Sequence, residues 1–198
     1  MVRDPTHRGG RFATVRDIMS GRGVEALLFL DLKNIRYLTG FTGSDGALIV
    51  SRRSAVLLVD GRYTAQAGKE TRHIRVFEYR EKSEGIAGIT SGLGVRTLGF
   101  EAAAISYDFY SRLLKKIGNV RLRAVTEDHL GGLRSVKSGE EIALIRRAVK
   151  IATDALETVL PLMKPGVREI DVALEIDHRM RRGGAEAPSF ETIVASGE

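Results

Sequence analysis

Residues 34–63 read NIRYLTGFTGSDGALIVSRRSAVLLVDGRY, and this stretch decides the fold. Residues 34–45 are a polar and aromatic turn dense in Gly, Thr and Ser. Two apolar runs follow, 47–50 and 55–59, separated by Ser51-Arg52-Arg53-Ser54. Apolar runs of this length, bounded by turn formers, predict two buried strands joined as a hairpin. Gly40, Gly43 and Gly46 allow backbone shapes that other residues resist. The second run stops at Asp60-Gly61-Arg62-Tyr63. Taken alone, the stretch describes a tight loop capping a sheet.

Upstream, Phe12, Val15, Ile18 and Met19 share one helical face that closes at Gly21 and Gly23, and residues 26–30 form an apolar run with the length of a buried strand. Downstream, residues 62–69 begin a helix and residues 74–79 alternate as a half-exposed strand. Residues 84–91 are weakly helical, 97–101 form a short strand, and Tyr107, Tyr110, Leu113, Leu114 and Ile117 make a helical stripe. Residues 120–125 alternate again. Strands and helices in this rhythm indicate an α/β layered fold with a mixed sheet flanked by helices.

The pattern changes near Glu127. A short helical connector, 129–134, precedes Ser138 and Glu141, which have the spacing of a capping box. Ile142, Ile145, Val149, Ala152, Leu156 and Val159 then form the apolar face of a long helix ended by Pro161 and Pro165-Gly166. Residues 169–182 form a second helix with Val172, Ala173, Ile176 and Met180 inward. Residues 190–195 read as the first strand of a new sheet. The expected division is a domain over 1–127, a linker over 128–137, and the opening of another domain over 138–198. The last segment is too small to enclose a core and leaves helix faces exposed.

The chain has 198 residues, 43% of them hydrophobic and 28% charged, which is ordinary for a globular protein. With no cysteine, disulfides, thiolate metal sites and cysteine nucleophiles are excluded, and a reducing cytoplasm is the expected compartment. No apolar run approaches the length of a membrane span. The net charge of +6, from 31 basic and 25 acidic residues, admits an anionic partner. The basic residues are nonetheless scattered along the sequence with no aromatic interleaving, so nucleic acid is not the expected partner.

No catalytic constellation is visible from spacing alone. His7, His73, His129 and His178 form no HExxH or other helical ligand spacing. His178 reads as a solvated helical residue and His73 as an edge residue. The carboxylate pairs Glu140-Glu141, Glu127-Asp128 and Glu175-Asp177 suit helix starts and polar helix faces. Asp60 reads as a cap on the helix that follows it. No phosphate loop is present.

The motif at residues 34–44, NIRYLTGFTGS, followed by Asp60-Gly61-Arg62-Tyr63, closely resembles the amino-terminal domain of the Xaa-Pro aminopeptidase, prolidase and creatinase family, the pita-bread enzymes. Residues 133–197 resemble the opening of that family's catalytic domain. The resemblance implies a creatinase-type amino-terminal domain followed by the first helices and strand of a pita-bread domain. It also implies a cytoplasmic homodimer acting on proline-containing peptides, with hydrolysis of the bond before proline. Two divalent metal ions (manganese, cobalt or zinc) would be held by two aspartates, one histidine and two glutamates in the catalytic domain, which generate the nucleophile and polarise the carbonyl.

None of those metal ligands can be matched here, and PSFETIVASGE resembles the lead-in to a substrate-contacting histidine that lies beyond it. The chain by itself is therefore expected to be inactive. In the family the first domain reaches the partner's active-site mouth, so the resemblance implies substrate-access roles for Tyr37, Phe41, Arg62 and Tyr63. The aromatic groups would wall a proline-sized pocket and the guanidinium would meet a carboxylate. One departure is Val167-Arg168, where the family has a capping Thr or Ser. The alternative expectation is a non-catalytic dimerisation or protein-interaction scaffold of the same fold.

Overall fold

Every residue of the two hairpin strands but Ala55 is buried, and alternate residues enter different cores. In the computed structural model, residues 8–71 and 74–197 are described. His7 and His73 lie outside the described residues. The chain divides into two compact units, residues 1–136 and 137–198.

In chain order the first unit contains α1 (Arg8–Gly21), β1 (Ala26–Phe29), α2 (Leu32–Thr39), β2 (Ala47–Ser51) and β3 (Ala55–Val59). Then come α3 (Thr64–Glu70), β4 (Arg75–Glu78), α4 (Lys82–Gly92), β5 (Thr97–Glu101), α5 (Tyr107–Lys116), β6 (Arg121–Val125) and α6 (Glu127–Leu130). A 3-10 turn at Gly131–Arg134 follows. The sheet order is β4-β3-β2-β1-β5-β6. Pairs β1/β2 and β2/β3 are antiparallel and β3/β4, β1/β5 and β5/β6 are parallel, so five strands point one way and β2 runs against them.

Because side chains alternate across a strand, one apolar run can serve two cores. Leu27, Phe29, Leu48, Val50, Leu57 and Val59 pack with Val15, Met19, Ile35, Leu38 and Ala67. Leu28, Ile49, Leu58 and Leu98 pack on the other face with Ile86, Ile89, Leu113 and Ile117. The mixed α/β sheet between helical layers matches the sequence reading. Leu130 and Leu133 are buried in the first of these cores.

Three local readings need correction. The segment taken as loop from residue 34 begins inside helix α2. The Asp31 carboxylate caps that helix by accepting from Lys33 N at 2.9 Å. Gly40, at φ 85°, ends it by donating its N–H to Arg36 O. Ile35 and Leu38 provide the buried face, and the Gly- and Thr-rich residues that follow obscure this short period. Asp60 does not cap α3. Its carboxylate accepts from Arg62 N at 2.9 Å and shapes the turn, while Tyr63 occupies the N-cap position without a side-chain bond. Tyr107 is 85% exposed and Leu114 half exposed, so the α5 stripe narrows to Phe109, Tyr110, Leu113 and Ile117.

The second unit contains α7 (Gly139–Val159) and α8 (Glu169–Arg182). The Ser138/Glu141 capping box is present in both directions. Arg168 sits at the N-cap of α8 without a capping bond and instead pairs bidentately with Asp171, at 2.8 and 2.7 Å. Of the apolar face assigned to α7, Val159 is buried, whereas Ile145, Val149 and Leu156 are exposed. On α8, Val172 is buried. The strand expected at 190–195 is not formed: these residues have no ladder partner among the described residues, and a strand exists only through its neighbour.

Candidate functional site

The distinctive motif residues collect on the rim of the sheet where β3 and β4 end and β2 begins. Gly43 is there for a steric reason. A Cβ at this position would stand 2.2 Å from Cζ of Phe41. At Gly46 a Cβ would stand 3.3 Å from Leu58 O. The glycines therefore let the loop close over the Phe41 ring and enter β2.

Phe41 is buried, and Tyr63 stands edge-on to it with ring centroids 5.8 Å apart and planes at 86°. This edge-to-face geometry is favoured for aromatic pairs. The Tyr63 hydroxyl is 2.5 Å from Ser44 Oγ, which ties the loop to the turn after β3. The Arg62 guanidinium grips Asp60 with Nε–Oδ1 at 3.1 Å and Nη2–Oδ2 at 2.7 Å, and its carbon lies 5.3 Å from the Tyr63 ring centre. The Arg62 side chain is 71% exposed. Hydrogen bonding from Arg62 holds the Asp60 carboxyl below its ordinary range.

Deeper in the same rim, Asp45 accepts from the Tyr79 hydroxyl at 2.8 Å and from the Lys82 ammonium. Burial alone would raise the Asp45 carboxyl, but these two donors overcome it and keep the group below its usual value. Burial, reinforced by Asp45, pushes the Tyr79 phenol upward. Thr42 donates to Glu70 from its N–H at 2.8 Å and its hydroxyl at 2.7 Å. That hydroxyl, ahead of the other contacts, lowers the Glu70 carboxyl. Thr64 donates to Glu78 Oε2 at 2.6 Å.

Of the four residues singled out by resemblance, the structure sets Phe41 and Tyr63 edge to face and places Arg62 over Tyr63. Only Arg62 and Tyr63 present atoms at this surface, because Phe41 lies beneath Tyr63. Tyr37 is partly buried on α2, with the Arg11 guanidinium 4.0 Å over its ring and Arg11 Nη1 donating to its carbonyl at 2.7 Å. Sequence reasoning missed Tyr79 and Lys82. They lie 34 and 37 residues from Asp45, and no local spacing connects them.

A second feature of the rim is Glu101, at the end of β5 and only 2% exposed. Its carboxylate accepts from Leu30 N at 2.6 Å, Asp31 N at 2.7 Å and Asn34 Nδ2 at 2.6 Å. Burial raises this carboxyl against the lowering effect of the three donors. Glu101 thus holds the β1–α2 connection beside a cleft of about 460 Å³, just outside the ends of β1 and β5.

Among the described residues no three His, Asp or Glu side chains converge where a metal ion could sit. His129 faces Thr126, with Nδ1 2.8 Å from Oγ1, and His178 is exposed on α8. The described residues do not supply the donor set of a two-metal centre. No helix among the described residues is long and apolar enough to cross a membrane.

Residues 11–136 match the Creatinase/Prolidase N-terminal domain, and residues 143–198 match metallopeptidase family M24. An uncharacterized peptidase of Bacillus subtilis is 37% identical over 92% of this chain and 52% of its own length. The Xaa-Pro dipeptidase of Pyrococcus horikoshii is 29% identical over 91% of this chain and 50% of its own. Among solved structures, the Xaa-Pro dipeptidase from Bacillus anthracis superposes with a TM-score of 0.89 at 28% identity, covering 93% of this chain and 52% of that one. The N-terminal domain of the cytoplasmic peptidase PepQ from Mycobacterium tuberculosis gives 0.59 at 35% identity, covering 63% and 98%. The chain spans about half the length of the curated relatives it matches.

Proposed function

Since the chain belongs to the creatinase/prolidase N-terminal domain family, we propose that its first unit is the access and dimer-forming domain of a metal-dependent Xaa-Pro peptidase of the cytoplasm. In this reading the protein is a homodimer and hydrolyses the bond before proline in dipeptides or longer peptides. Residues 138–198 open the metallopeptidase domain, and in the whole enzyme two divalent metal ions held by that domain would supply the nucleophile.

The observation that carries the reading is the Asp60-Arg62-Tyr63 rim. Arg62 is held as a planar fork over an aromatic face, yet its side chain is mostly exposed. With Nε and one Nη2 hydrogen held by Asp60, the outer Nη1/Nη2 edge is left to meet a peptide carboxylate, where two parallel N–H···O bonds would fix both position and orientation. Tyr63 offers a flat wall to a proline ring. Phe41 stiffens that wall through its edge-to-face contact with Tyr63, and Tyr37, held on α2 against Arg11, is given an access role by the family resemblance alone. The whole rim would stand at the mouth of the partner subunit's active site.

The test is a chimera joining this chain to the carboxyl-terminal half of the Pyrococcus horikoshii Xaa-Pro dipeptidase. The chimera is expected to be dimeric and to cleave Xaa-Pro dipeptides in manganese, while the chain alone is inert. Arg62→Ala in the chimera should lower kcat/KM by roughly ten- to a hundredfold, chiefly through KM, in line with loss of a charge-assisted pair. Unchanged KM in that variant would refute the role of Arg62. A dimeric but inert chimera would favour the scaffold reading.

A further inference from the structure

The opposite rim of the first sheet, where five strands begin, has a different character. Arg52 and Arg53 occupy the β2–β3 turn, Arg75 opens β4, Arg96 precedes β5 and Arg121 opens β6. Arg121 N donates to Arg96 O at 2.8 Å, so these two stand side by side. Arg16 reaches the same rim from α1, its Nε 3.2 Å from Ser51 O. Arg123 joins by donating from Nη1 to Arg22 O at 2.9 Å.

The strand registers set the order of this row. Arg75 pairs with Val56, Ala26 pairs with both Ser51 and Leu98, and Thr97 pairs with Arg121. With strands about 4.8 Å apart, the arginines run along a line of roughly 24 Å. Arg52, Arg53, Arg75, Arg96, Arg121 and Arg123 are all exposed. None of these six is in an ion pair among the described residues. The acidic residues nearby are Asp17, next to Arg16 on α1, and Glu25, whose Oε2 accepts from Arg96 N and from Thr97 N at 3.2 Å and whose single charge faces Arg96 and Arg52. Residues 1–136 hold 22 Lys and Arg against 14 Asp and Glu, so the excess positive charge of the chain lies in this unit.

We propose that this arginine rim binds the phosphodiester backbone of double-stranded nucleic acid without regard to sequence. Guanidinium forks match phosphate oxygens bidentately, and a line of them suits a ladder of phosphates. No aromatic side chain stands in the row, so it offers no stacking platform for the unpaired bases of a single strand. Nor does the row carry an exposed large apolar residue of the kind that anchors a protein partner. The charges that look scattered in the sequence become a line because strand order brings residues 16 to 123 to one rim.

The experiment is fluorescence anisotropy of the whole chain with a labelled duplex of mixed sequence across a salt series. With about four phosphates neutralised, log K should fall with log salt at a slope near −4. Arg52→Ser with Arg53→Ser should reduce that slope by about two and weaken low-salt binding about tenfold. Lys33→Ser with Arg36→Ser removes the same charge from the other rim and should change binding less than about twofold. Three results would each overturn the proposal: no binding at low salt, an equal loss in the control pair, or competition by polyglutamate as effective as by duplex at matched charge. The last would make the rim a surface for acidic polypeptides.

Discussion

Replacing Glu101 by Ala should destabilise the first unit more than any surface change nearby. In the native unit three donors converge on one nearly inaccessible carboxylate: Leu30 N, Asp31 N and Asn34 Nδ2, at 2.6 to 2.7 Å. Removing the acceptor strands those donors where water enters poorly. At about 1–3 kcal/mol for each buried donor left unsatisfied, and with some water entering the neighbouring cleft, the net cost is about 4 kcal/mol. Glu101→Gln keeps one acceptor oxygen but turns an amide N–H₂ toward donors, so about 2 kcal/mol is expected. The assay is urea unfolding followed by tyrosine emission. All five tyrosines lie within residues 1–136 and there is no tryptophan, so the signal reports on the first unit alone. With a slope of about 2 kcal/mol per molar, the midpoint should fall by about 2 M for Ala and 1 M for Gln. A shift below roughly 0.3 M for Ala at unchanged slope would show that water replaces the carboxylate without loss and would refute the reasoning.

Gly43→Ala drives a methyl group into the Phe41 ring at 2.2 Å. The ring or the loop must shift, so a loss of about 1–3 kcal/mol and a changed near-ultraviolet tyrosine spectrum from Tyr63 are expected; an unchanged midpoint and spectrum would show the loop to be slack. Glu81 caps α4, and although burial opposes it, the Ser83 hydroxyl and N–H, the Glu84 N–H and Lys116 depress its carboxyl to about 2. A depressed folded value contributes stability that is present above the ordinary carboxylate range, near 4.5, and is lost as pH falls toward about 2. Its side chain is partly exposed, so the solvent-screened contribution is only about 1 kcal/mol. Glu81→Gln should therefore flatten part of the stability decline between those pH values, and a parallel decline in the variant would assign the acid sensitivity to other groups.

Much of the fold was legible because local chemistry encoded it. The runs at 47–50 and 55–59 could bury themselves only as strands, and Ser51-Arg52-Arg53-Ser54 could only turn between them. Ser138 and Glu141 announced a helix start through bonds spanning three residues. Helix α2 escaped notice because its signals, the Asp31 cap and the buried Ile35 and Leu38, occupy barely two turns before a Gly- and Thr-rich loop. The strand read at residues 190–195 failed for the opposite reason. An apolar run proposes a strand, but only a neighbour with free backbone groups makes one.

The motif residues themselves could be named from sequence, and so could the glycines around Phe41. Their partners could not. Asp45 meets Tyr79 and Lys82 because β3 sits between β2 and β4, while Asn34 meets Glu101 and Arg52 shares a rim with Arg96 and Arg121 because β1 sits between β2 and β5. Periodicity and capping depend on atoms a few residues apart, so the sequence by itself determined that the hairpin strands are buried and where most elements begin and end. Strand order depends on how two cores close on both faces of one sheet, and only that closure decided which charges neutralise one another and which remain exposed along an edge.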